Sequence, residues 1–252
     1  MARFPNPNQG PFGQSPFGAQ RPYEMGYPSG VDTITVARFF NAVYAWMAAG
    51  LGLTALVAYW VSTRPDIMAQ IFRGPVLIIL FIVELGLVFT ISAAINKIGA
   101  AAATGLFLLY SALNGLTLSA IFVVYAHATL ASAFVITAGM FAAMSVFGFV
   151  TRKNLSGLGS ILFMALIGLI LASVVSVFWR NSMLATIINY AGVLIFVGLT
   201  AYDTQKLKYI AASTGNNAAL AARLSVNGAL MLYLDFLNLF LFLLRIMGNR
   251  RS

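Results

Sequence analysis

Residues 225–247 read SVNGALMLYLDFLNLFLFLLRIM. As a helix this stretch is about 34 Å long, enough to cross a hydrocarbon core of about 30 Å. It holds one acid, Asp235, and one base, Arg245. A carboxylate at the centre of a membrane helix costs roughly 2.5 to 3.5 kcal/mol on insertion scales, and more by other estimates. The stretch therefore reads as a membrane helix whose aspartate needs a purpose.

Composition extends that reading to the whole chain. Of its 252 residues 60% are hydrophobic and 8% charged, with a mean hydropathy of +0.89. A soluble domain carries about a quarter charged residues. Too few are present here to cover a water-facing surface, so the chain is read as an all-α integral membrane protein. It has no cysteine, which excludes disulfides and thiolate metal sites. His127 is its single histidine, so a histidine-rich metal site is excluded too. The formal charge of +9 is scattered among short loops, as membrane topology requires, and is not gathered into a nucleic-acid footprint.

Residues 1–32, MARFPNPNQGPFGQSPFGAQRPYEMGYPSGVD, hold six of the eight prolines and no apolar run. They read as a disordered cytoplasmic tail, not a signal peptide, ahead of a transmembrane domain over 33–252. Seven apolar segments follow, at about 39–61, 75–95, 100–124, 129–150, 157–178, 183–203 and 225–247. Arg64-Pro65-Asp66, Arg152-Lys153-Asn154 and Arg180-Asn181 punctuate the gaps, and a short YAHATL turn separates the third and fourth segments. Small residues inside the segments, among them Gly50, Gly52, Gly157 and Gly159, read as close helix packing.

Seven spans put the tail and the second, fourth and sixth loops on one side. That side holds nine bases: Arg3, Arg21, Arg38, Lys97, Arg152, Lys153, Lys206, Lys208 and Arg223. The other holds five: Arg64, Arg73, Arg180, Arg250 and Arg251. The excess places the N-terminus in the cytoplasm.

Six acids are present in all. Glu24, Asp32 and Asp66 fall in the tail or a loop, whereas Glu84, Asp203 and Asp235 fall in membrane segments. Aspartate is too short to snorkel from mid-membrane, so Asp235 faces the bundle interior, protonated or paired. On its helix, Asn238 and Arg245 lie within roughly 80° of it, making one polar stripe suited to lining a pathway. Asp203 closes segment six, and Asp235 lies about 15 Å into segment seven, which runs back antiparallel. If the sixth helix enters the membrane later than drawn, the two carboxyls reach similar depth. Two carboxyls held together in low dielectric cannot both ionise cheaply; they share a proton, and such a pair can sense pH without histidine. The plainer alternative is that each buried acid only bridges helices by hydrogen bonding, and that Arg245 snorkels. His127 reads as an interfacial loop residue. No nucleophile–base set, GxSxG or HExxH occurs, so an enzyme is not expected.

These residues carry a resemblance. GLTAYDTQKLK at 198–208 and LYLDFLNLFLFLLRIMG at 232–248 closely resemble the signature of the Bax inhibitor-1, or transmembrane Bax inhibitor motif, family. VYAWMAAGLGLTALVA at 43–58, FIVELG around Glu84 and NGLTLSAIF at 114–122 support it, over residues 36–248. The resemblance implies seven helices with the last one central and two three-helix layers around it. It implies that Asp203 and Asp235 form a diaspartyl pH sensor, and that Glu84 and Arg245 lie on or near an ion pathway, as Asn238 does by the polar stripe. The implied activity is a pH-dependent calcium leak with no cofactor, calcium being the permeating ion. Bacterial members are also linked to a membrane-bound protease and to stress survival, and eukaryotic members to suppression of cell death. An arginine cluster that pairs with the sensor in some members is replaced here by INKIGA, leaving Lys97 and putting a basic latch in doubt. Two other functions compete with the leak: restraint of a membrane protease through the tail, and proton-coupled transport through the same acids. The expected location is a bacterial inner membrane.

Overall fold

A computed structural model describes residues 33–94, 97–179, 181–215 and 217–248. The expected tail over 1–32, with Arg3 and Arg21, lies outside those residues, as do Arg180, Arg250 and Arg251 of the orientation count. The described chain forms nine helices: α1 Thr33–Ser62, α2 Pro65–Phe72, α3 Val76–Ala94, α4 Ala100–Leu118, α5 Ala120–Val124, α6 His127–Val150, α7 Ser156–Phe178, α8 Ser182–Thr214 and α9 Ala218–Met247. No strand occurs among the described residues. In lipid the backbone must satisfy its own hydrogen bonds, which leaves helices as the solution for such apolar segments. Among the described residues seven helical stretches are long and apolar enough to span, with α4 and α5 together making one of them.

Four features of the sequence reading change. The gap after Arg64 contains a helix, because Pro65 occupies its first position and Asp66 favours its positive end. The third span breaks at Ser119, whose hydroxyl donates to the Leu116 carbonyl. His127 begins α6 and is exposed there, outside any loop. The largest change concerns segments six and seven, drawn to end at 203 and to start at 225. In the structure α8 continues to Thr214 and α9 already begins at Ala218. The intervening LKYIAAST and AALAARL are rich in alanine and leucine, which sustain a helix beyond the membrane. Gly215, at φ +51°, opens the tight turn between them. Asn217 caps the start of α9 by accepting the Leu220 N–H at 2.9 Å.

Packing sorts the helices by role. α9 packs against α8, α1, α6 and α4, whereas α7 packs mainly on α8 and α3 mainly on α4. The most apolar spans, α3 and α7, are the least buried, at 11% of the spanning window against 56% for α9. Exposed Ile78, Ile82, Phe89, Ile161, Met164 and Leu171 therefore form lipid-facing surface. Two apolar clusters fill the interior, one drawn mainly from α1, α4, α6 and α9 with Leu207 and Ala211 of α8, and one from α7, α8 and α9. Helix α9 supplies residues to both, so Asp235 at its middle has no exposed side in which to escape.

Candidate functional site

Asp235 is 4% exposed, and its carboxyl lies within hydrogen-bonding reach of the half-buried Asp203 carboxyl on α8. The extension of α8 past residue 203 is what makes this possible, since it sinks Asp203 into mid-helix. Asp235 Oδ2 is buried with no hydrogen-bond partner. A polar atom left this way costs about 1 to 3 kcal/mol. Lys206, one turn on from Asp203 and exposed, is a cation near enough to act on the Asp203 charge.

The α8 segment that carries Asp203 is fastened on its far side. A Cβ on Gly148 would collide with the backbone of Ala201, so α6 crosses α8 in direct backbone contact. A Cβ on Gly159 of α7 would strike the Tyr202 ring. Gln205 Nε2 donates to the Lys153 carbonyl and its Oε1 accepts the Leu155 N–H, both at 2.8 Å. Lys208 Nζ donates to the Phe149 carbonyl at 2.7 Å. Four successive attachments thus tie residues 201–208 to the end of α6, the loop after it and the start of α7. Beside them Tyr44, Ser145 and Thr204 form a hydroxyl chain across α1, α6 and α8. Thr204 donates to the Thr200 carbonyl at 2.7 Å, so the chain must run from Tyr44 to Ser145 to Thr204. Its protons end on backbone, and none is left for Asp203.

Glu84 belongs to a different neighbourhood. It is 7% exposed on α3, and its Oε1 lies 3.1 Å from the Thr117 hydroxyl, which also lies 3.0 Å from the Asn114 carbonyl. One hydroxyl proton serves one of these acceptors; a protonated Glu84 would satisfy the other arrangement by donating to Thr117. Close by, Thr54 links α1 to Ser111 of α4 and to Tyr233 of α9, at 2.8 and 2.7 Å. Tyr233 and Asp235 are two residues apart, about 200° around α9, so they point to opposite sides. The Asn238 amide donates to the Leu234 carbonyl of its own helix at 2.8 Å. Arg245 is exposed near the end of α9, its guanidinium carbon 5.5 Å from the Phe242 ring centroid. The structure therefore brings together Asp203 and Asp235 and leaves Glu84, Asn238 and Arg245 in three separate settings.

Sequence reasoning passed over Gly148, Gln205, Tyr44, Ser145, Thr204 and the Thr54–Tyr233 link. Gln205 stood within the stretch that carried the resemblance, and Gly159 was read as a packing glycine. Hydroxyl pairs between distant helices leave no pattern along the chain. Among the described residues no three carboxylates, imidazoles or thiols converge, so the site's acidic side chains are the two of the pair.

Comparison with known proteins agrees over the same region. The family model described as "Inhibitor of apoptosis-promoting Bax1" matches residues 36–252. The Escherichia coli strain K12 protein named "Inner membrane protein YbhL" is 52% identical over 215 residues, covering 84% of this chain and 92% of the relative. A Deinococcus radiodurans relative is 46% identical over 219 residues, covering 86% of this chain and 92% of its own. A Borreliella burgdorferi relative is 44% identical over 216 residues, covering 85% and 93%.

Proposed function

The chain belongs to the family of inhibitors of apoptosis-promoting Bax1, and from that membership we propose that it is a pH-sensitive cation leak gated by Asp203 and Asp235. The observation that carries the reading is the contact of two carboxyls on adjacent helices, one of them buried with an oxygen left unpartnered. With one proton between them the carboxyls share a hydrogen bond and hold α8 to α9. With none, two unit charges about 4 Å apart repel by about 4 kcal/mol at an effective dielectric of about 20. With two, the charge-assisted character of the bond is lost. The singly protonated pair is thus the tightest, and either change in occupancy loosens the α8–α9 contact.

Calcium is the proposed permeating ion because hard carboxylate oxygens suit it and the buried acids favour cations over anions. The name of the Escherichia coli relative supports a place in the inner membrane. The excess of Lys and Arg around the second and fourth loops and on the facing ends of α8 and α9 supports a cytoplasmic N-terminus. The test is calcium entry into dye-loaded liposomes holding the purified protein, with Asp203→Asn and Asp235→Asn beside it. Flux that follows pH in the parent and ignores pH in both variants is expected. Absence of flux at every pH from folded protein would reduce the acids to helix-bridging groups.

A further inference from the structure

We infer that the mouth between α7, α8 and α9 binds a phosphate group, carried by a lipid headgroup or free in solution. A cavity of about 550 Å³ opens there, lined by Tyr125, Ser173, Ser176, Asn189 and Arg245. Tyr125 directly follows α5, the serines belong to the last two turns of α7, Asn189 to the second turn of α8 and Arg245 to the last turn of α9. Four span ends thus meet at one membrane face. Phe178 and Trp179, 86% and 69% exposed, close α7 beside them, and aromatic side chains of this kind sit at headgroup level.

The chemistry of the lining selects an anion. Arg245 contributes a full positive charge, and among the described residues no carboxylate lines the cavity with it. The Phe242 ring lies against one face of the guanidinium, and the edge donors of such a group suit a planar, two-pronged bond to an anion. The Asn189 amide and Tyr125 hydroxyl add donors. Ser173 and Ser176 now bond to carbonyls of their own helix, at 2.7 Å each, and can rotate outward at small cost. A permeating cation would meet the guanidinium here, with no acid of the described lining to offset it. The site is therefore chemically distinct from the carboxylate pair, and its existence does not depend on the leak.

The test uses the full chain in a phosphate-free neutral detergent. Retention of dioleoylphosphatidylglycerol and of dioleoylglycerol is compared by native mass spectrometry, and inorganic phosphate binding by calorimetry. Arg245→Gln and Asn189→Leu are measured beside Arg73→Gln, a base on an exposed loop outside the cavity. Hydrogen bonds to a charged group are worth enough that Arg245→Gln should weaken phosphate-bearing ligands about tenfold or more. Asn189→Leu should weaken them severalfold, and Arg73→Gln should leave them unchanged. Binding of phosphatidylglycerol alone identifies the headgroup as the source; competition by inorganic phosphate extends the site to the free anion. Equal retention of the two lipids without phosphate binding would overturn the assignment. So would parent-like binding by both cavity variants.

Discussion

Two buried acid sites flank α9, and they solve the same problem in opposite ways. Glu84 sits on the thinly buried α3 but has a hydroxyl, Thr117, at hydrogen-bonding distance. Asp235 sits on the most buried helix and is given a second acid as its neighbour, with one oxygen left over. A hydroxyl serves as donor or acceptor and so tolerates either protonation state of its partner. A carboxyl does not: its worth to a second carboxyl depends on how many protons the two hold. The first arrangement suits a helix bridge, whereas the second can change with pH. Fastening differs as well, since Asp203 stands on a stretch of α8 pinned by Gly148, Gly159, Gln205 and Lys208.

The contrast can be broken or sharpened by substitution. Gly148→Val should have the largest effect, because its side chain would be driven into the Ala201 backbone. Overpacking of that kind costs about 3 kcal/mol at the upper end, read by denaturant unfolding in detergent. A parent-like unfolding curve would show that α6 and α8 do not need direct backbone contact. Gln205→Leu removes both attachments to the loop and strands the Leu155 N–H, for about 2 kcal/mol in the same assay. Thr54→Val leaves the fully buried Tyr233 hydroxyl without its acceptor and should cost about 1 kcal/mol. Glu84→Gln should be mildest, within about 1 kcal/mol, because the amide oxygen still accepts from Thr117. It should also leave any pH dependence of flux in place. Were Glu84→Gln to abolish that dependence as fully as Asp235→Asn, the distinction between the two sites would fall.

Much of this was legible in the chain. The spans showed themselves because lipid-facing helices need unbroken apolar runs, and α3 and α7 are the plainest cases. Asp235 was conspicuous for the same reason, as a charge where apolar residues cost nothing. The meeting of Asp203 with Asp235 was legible only on condition that helix six ran on, and periodicity could not show that it does. The extension to Thr214 mixes alanine, which favours a helix, with Lys206, Lys208, Ser213 and Thr214, whose polarity lowers the hydropathy towards that of a loop. Glu84 showed its depth but not its partner, since Thr117 lies 33 residues away on another helix. The polar stripe of α9 was correct as an angle on a wheel. Wheel angles do not distinguish Asn238 bonded to its own backbone from Arg245 open to a cavity.

The decisive measurement follows protonation and flux in the same liposomes. Infrared difference spectra would track the carboxyl stretch across about pH 5 to 8, the range in which ordinary aspartates stay ionised, while entrapped dye reports calcium entry. A proton shared by Asp203 and Asp235 predicts a carboxyl band that changes in this range together with the flux, with both changes absent from Asp203→Asn. Calcium flux that varies with pH while the band stays constant, or persists unchanged in Asp203→Asn, would contradict a gate made of this pair.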